Sequence, residues 1–170
     1  VVKKYAKADA TKQNEYLQDL VAKFVESAPE GWRRLKYVQA ATMYVSSIFA
    51  TVTLEDGVEK RVRGPRGVAI SMSRLRSGMY EPLVGTWYTL TVTIEPSGEF
   101  SAAYDYDSKP DAMPPFPDSA FISDFEFFPR DREHTPDWLS EILHKEFTPE
   151  QLALMHNGEG PEPTFVPAFG

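Results

Sequence analysis

The strongest constraint on the fold lies in residues 86–94. There Tyr88, Leu90, Val92 and Ile94 alternate with Thr89, Thr91 and Thr93. An apolar–polar period of two over that length is the pattern of a strand with one face buried. Pro96-Ser97-Gly98 then turns the chain. Residues 100–107 alternate again, with Phe100, Ala102, Tyr104 and Tyr106 against Ala103, Asp105 and Asp107. A three-residue link joins only antiparallel neighbours, because parallel strands need a long crossover.

The same logic applies upstream. Residues 46–54 set Ile48, Ala50, Val52 and Leu54 against Phe49, Thr51 and Thr53, and Glu55-Asp56-Gly57 is a hairpin turn that residues 58–63 leave as the paired strand. Residues 32–44 are aromatic and β-branched, so they read as a further strand. Helical spacing appears at residues 11–28, where Tyr16, Leu17, Leu20, Val21, Phe24, Val25 and Ala28 line one side, with Thr11 as the expected N-cap and Pro29-Glu30-Gly31 as the stop. Residues 68–80 read as a second helix packing Ile70, Leu75 and Met79. A proline-rich connector spans residues 110–117. Thr135-Pro136-Asp137-Trp138 and Thr148-Pro149-Glu150-Gln151 are helix starts, the second with a capping-box glutamine. The expected fold class is therefore α+β: an antiparallel β-sheet meander packed against an N-terminal helix and short C-terminal helices. Residues 1–156 form one domain, and residues 157–170 a flexible C-terminal tail or docking strap.

Chemistry is narrowed mainly by what the sequence lacks. It has no cysteine, which removes disulfides, thiolate zinc sites and a cysteine nucleophile. It contains no phosphate-binding loop, no dinucleotide-binding glycine motif and no serine nucleophile elbow. No apolar run follows Lys3-Lys4 as in a secretion signal, and none approaches membrane-spanning length, so a cytoplasmic setting is expected. The histidines His134, His144 and His156 show no metal-ligand spacing.

Charge is segregated within a net charge of -7. Glu99, Asp105, Asp107, Asp111, Asp118, Asp124 and Glu126 face one base, Lys109, while Lys60, Arg61, Arg63, Arg66, Arg74 and Arg76 face one acid, Glu59. Such patches steer charged partners; the alternative is two solvated faces that keep the protein soluble. On a strand, Asp105 and Asp107 project from one face about 7 Å apart, with Tyr104 and Tyr106 on the other. Paired carboxylates bind divalent cations or do acid–base work, but a general acid needs burial to raise its pKa. An exposed, partner-facing pair is favoured over catalysis. Nucleic-acid binding is not expected of a chain with pI near 5.0.

Several passages resemble the YezG-like immunity proteins. They are Glu99-Phe100 with Tyr104-Asp105-Tyr106-Asp107, then Phe127-Phe128-Pro129-Arg130-Asp131, then His134-Thr135-Pro136-Asp137-Trp138-Leu139. Ala28-Pro29-Glu30-Gly31-Trp32 and Gly85-Thr86-Trp87 belong to the same likeness, which spans most of residues 15–145. The resemblance implies a small cytosolic antitoxin that binds and inhibits a cognate secreted toxin enzyme, such as a nuclease or an NAD-hydrolysing toxin, and is itself no enzyme. It brings no catalytic residues, cofactor or metal. The expected partner is the toxin domain, with no nucleic acid, membrane or small-molecule substrate. Tyr104, Asp105, Tyr106, Asp107, Asp111, Asp118 and Asp124 are the candidate partner-binding residues. Two alternatives stay open: a metal-dependent hydrolase using Asp105, Asp107 and His134, and a scaffold module that docks through residues 161–169.

Overall fold

The computed structural model describes residues 6–163. The elements in order are α1 (Ala10–Ser27), β1 (Trp32–Ala41), β2 (Ser46–Leu54), β3 (Glu59–Val62), α2 (Ala69–Gly78), β4 (Thr89–Ile94), β5 (Phe100–Asp105), α3 (Asp118–Phe127), α4 (Asp137–Glu146) and α5 (Pro149–His156). The fold is α+β, with α1 before a five-stranded antiparallel sheet and the short helices after it.

Both hairpins use one turn design. In each, a glycine with positive φ (Gly57 at 80°, Gly98 at 90°) closes the turn, as only a residue without Cβ does cheaply. The side chain just before it accepts the N–H two residues on: Asp56 from Val58 at 2.9 Å, Ser97 from Glu99 at 3.2 Å.

The strand order is β3-β2-β1-β4-β5, so the sheet is not one sequential meander. After β3 the chain crosses back through α2 and lays the second hairpin beside β1. The reason lies in the strands themselves. β3 is four residues long and presents Glu59, Lys60 and Arg61, a poor interior strand, while β1 offers ten residues with Leu35 and Tyr37 fully buried. Leu35, Tyr37 and Gln39 therefore stand opposite Ile94, Val92 and Leu90.

Helices α1 and α2 cover one face of the sheet, where Leu20, Phe24, Met72 and Leu75 meet Leu35, Leu90 and Val92 in the main core. On the opposite face Phe49 is 46 % exposed, with Arg61 stacked 4.8 Å from its ring centre. The three C-terminal helices build a second core of Phe121, Phe125, Leu139, Ile142, Leu143 and Met155 around Tyr88. The joint between the cores is a bend before β4. Trp87 enters the first core and Tyr88 the second, which breaks the alternation that groups Tyr88 with Leu90.

Capping departs from expectation in two places. Asp9, not Thr11, caps α1, its carboxylate accepting the Lys12 N–H at 2.8 Å. Pro136 occupies the cap position of α4, because the Thr135 hydroxyl is turned back onto the Asp131 carbonyl at 2.7 Å. Thr148 and Gln151 form the capping box of α5. Of the tail, residues 164–170 lie outside the described residues, as do residues 1–5. Among the described residues, no helix is long and apolar enough to cross a membrane.

Candidate functional site

β5 and the loop after it position the acidic candidates, and the structure sorts them. The strand ends at Asp105, so Asp107 is not its strand neighbour. The Asp105 carboxylate instead folds over the chain's exit, accepting the N–H of Ser108 at 2.9 Å and of Asp107 at 3.0 Å. Those backbone donors, Ser108 first, hold its carboxyl below the ordinary value. Asp107 follows with its side chain 83 % exposed, while its carbonyl accepts the Trp138 indole N–H at 2.6 Å. Asp111 is exposed, and Met113, two residues on, is 83 % exposed. These residues share one surface stretch.

The other candidates lie elsewhere. Tyr104 and Tyr106 are half-buried and pack on the first core; Tyr104 sits 6.1 Å from Trp87, and burial raises both phenol pKa values. Asp118 lies in the first turn of α3, where a carboxylate complements the helix dipole, and it accepts Lys145 at 3.1 Å. Asp124 is buried. Expected from the sequence to face a partner, it is instead an internal counter-ion, because its carboxylate is enclosed against Arg76.

That counter-ion holds Arg76, which is also buried. Arg76 donates from Nη1 and Nη2 to the two Asp124 oxygens at 2.6 and 2.9 Å, and from Nε to the Trp87 carbonyl at 2.6 Å. Asp124 accepts in addition the N–H of Met43 at 2.7 Å. Arg76 therefore leaves the basic run of residues 60–76. A second buried arginine, Arg130, donates to the carbonyls of Thr86 (2.8 Å) and His134 (3.2 Å) and stands 3.8 Å from Asp107. Both guanidiniums approach the ring of Tyr88, at 5.5 Å for Arg76 and 4.9 Å for Arg130. A carboxylate, two cations and an aromatic ring thus pin the helical core to the sheet. Gly85 is required there: with φ at 114°, a Cβ would lie 2.5 Å from the Arg130 Nε.

Of the passages singled out in the sequence, Gly85-Thr86-Trp87, Asp107, Arg130-Asp131 and Trp138 meet at this joint, whereas Ala28, Trp32 and Phe100 pack on the first core. Arg130 reaches Gly85 and Thr86, Trp138 reaches Asp107, and the Asp131 N–H donates to the Leu83 carbonyl at 2.7 Å. A signal for the buried pair was present in the sequence: Asp124 shares an apolar helix face with Ala120, Phe121 and Phe125, and Arg76 shares one with Met72 and Leu75.

The histidines are engaged separately. His134 Nδ1 meets Asp131 at 2.8 Å, His144 Nδ1 meets the Ser140 carbonyl at 2.7 Å, and His156 Nδ1 meets the Arg130 carbonyl at 2.7 Å. Among the described residues, no three histidine, aspartate or glutamate side chains are grouped to hold a metal ion. Asp105, Asp107 and His134 are not brought together as a ligand set. No protein-family model matches the chain, and no curated protein matches it.

Proposed function

We propose that this chain is an immunity-type inhibitor that binds a partner toxin enzyme through direct protein–protein contact. Met113 carries the reading. An apolar side chain 83 % exposed, in a loop flanked by Asp105, Asp107 and Asp111, has the make-up of an interface anchor within a charged rim. Prolines 110, 114, 115 and 117 restrict the loop, and the Trp138 indole ties down its start. Such a loop loses little entropy on binding. Exposed carboxylates suit a toxin whose cleft handles phosphates, since complementary charge speeds encounter.

The test is calorimetry against the C-terminal domain of a large secreted protein encoded beside this one. The expected result is binding near nanomolar Kd with loss of that domain's toxic activity. Met113→Ala weakens binding by roughly 2 kcal/mol. Charge reversal at Asp105, Asp107 and Asp111 lowers the association rate, more at low salt than at high. Unchanged affinity and rate in these variants place the interface elsewhere.

A further inference from the structure

The two edges of the sheet are built differently. β3, at one edge, is four residues long and carries Glu59, Lys60 and Arg61, followed by Arg63 and Gly64-Pro65. Short length, edge lysine and a following proline are the usual devices that stop another strand from adding. β5, at the other edge, has six residues and none of these devices. Its sequence centres on Ser101, Ala102 and Ala103, without lysine, arginine or proline, and its pairing with β4 runs without a register shift.

The register decides which backbone groups face outward. The Ala41 N–H donates to the Tyr88 carbonyl, so even-numbered residues of β4 bond towards β1, while Tyr88 itself, at the bend before the strand, sends its own N–H to the Asp105 carbonyl at 2.8 Å. The Glu95 N–H donates to Glu99, so odd-numbered residues bond towards β5. Ser101, Ala103 and Asp105 therefore direct their backbone groups inward to β4, and Phe100, Ala102 and Tyr104 direct theirs outward. Among the described residues, no hydrogen bond reaches those outward groups.

Acids stand at both ends of this edge: Glu99 at one, where the neighbouring Glu95 is already paired with Arg34 at 3.1 Å, and Asp105 and Asp107 at the other. In antiparallel pairing of two copies, Glu99 of one strand would stand opposite Asp105 of the other when the pairing is centred on Ala102, and opposite Asp107 when it is centred on Ala103. Like charges across a strand pair are unfavourable. A foreign strand with basic residues at its ends meets the opposite situation at both ends.

We propose that the outer edge of β5 is a docking edge, at which an extended segment of a partner protein with flanking lysines or arginines adds to the sheet as a further strand. Main-chain bonds to Phe100, Ala102 and Tyr104 supply affinity, and the terminal acids select the basic segment. The choice of a basic occupant rests on the partner-facing reading of Asp105 and Asp107; the exposed edge does not.

The test uses the full chain, isotope-labelled, and a short synthetic peptide with lysine at both ends and alternating valine and threonine between. Amide exchange is read by NMR. The expected result is new protection at the Phe100, Ala102 and Tyr104 amides. Ala102→Pro removes an outward N–H and leaves the ladder to β4 intact, which is where proline is tolerated in a sheet. It weakens peptide binding by about tenfold. Ser101→Lys does the same by charge and keeps the proposal testable if the proline variant fails to fold. A glutamate-ended peptide gives no protection.

Four results overturn the proposal: no protection with the lysine peptide, equal protection with the glutamate peptide, protection before any peptide is added, or protection that accompanies dimerisation by sedimentation. The first two remove the edge or its selectivity; the others assign it to the chain itself or to a second copy. The two readings fail separately. A toxin that binds parent and Ala102→Pro alike, without edge protection, removes the docking edge and leaves inhibition standing. Protection without any toxin binding does the reverse.

Discussion

Asp124 shows how one buried carboxylate organises a boundary between two cores. It accepts two guanidinium hydrogen bonds from Arg76 and one from the Met43 backbone, so three segments distant in sequence meet on it. Removing one partner of a buried pair leaves an uncompensated charge. Asp124→Ala should therefore cost about 3–5 kcal/mol in urea unfolding, and the double change Arg76→Met with Asp124→Leu markedly less. Asp105 behaves differently because it is exposed. Its folded pKa is depressed below 3.8 by two backbone donors. A depressed carboxyl stabilises the fold above its unfolded pKa and loses that contribution as pH falls through the folded value. Asp105→Asn should cost no more than about 0.5–1 kcal/mol at neutral pH, solvent screening keeping it small. The gap to the parent should close on acidification below pH 3.8, which melting curves across pH will read.

At the scale of elements, local signals were sufficient where local chemistry decides. The Asp56-Gly57 and Ser97-Gly98 turns, the alternation of β4 and β5, and the Thr148 box all follow from side chains within a few residues of one another. Thr148→Ala should destabilise the protein by about 1 kcal/mol, with faster amide exchange confined to the start of α5. Strand order was not available in the same way, because placing β4 beside β1 depends on which edge is more apolar across the whole sheet. The candidate site divides along that line. Exposure of Asp105, Asp107 and Asp111 follows from a polar, proline-rich stretch. Asp124 was grouped with them because a count of charges along the chain ignores the helix face on which each one sits. The bend at Tyr88 is likewise imposed by tertiary packing, since its ring has to enter the second core.

At the scale of the whole molecule, the two cores meet around Tyr88, where the Arg76–Asp124 pair and Arg130 lie beside the Tyr80–Phe128 and Tyr88–Phe121 ring contacts. The Asp124→Ala variant should therefore loosen α3, α4 and α5 more than the sheet, and native-state hydrogen exchange will show whether the helical core opens first. The joint is buried, whereas Asp111 and Met113, the residues of the proposed interface, stand at the surface. Met113→Ala should leave the melting temperature within about 1 °C of the parent, an exposed side chain contributing little to the fold.

The placement of two tryptophans gives the protein separate optical reporters. Trp87 lies fully buried in the sheet core, whereas Trp138 packs on the helical core with its indole N–H held by the Asp107 carbonyl. Emission from a chain retaining only Trp87 registers loss of the sheet. A chain retaining only Trp138 registers the helical core and also disturbance of the acidic loop. A partner that seats on that loop would announce itself as a change in colour or intensity, with no label attached.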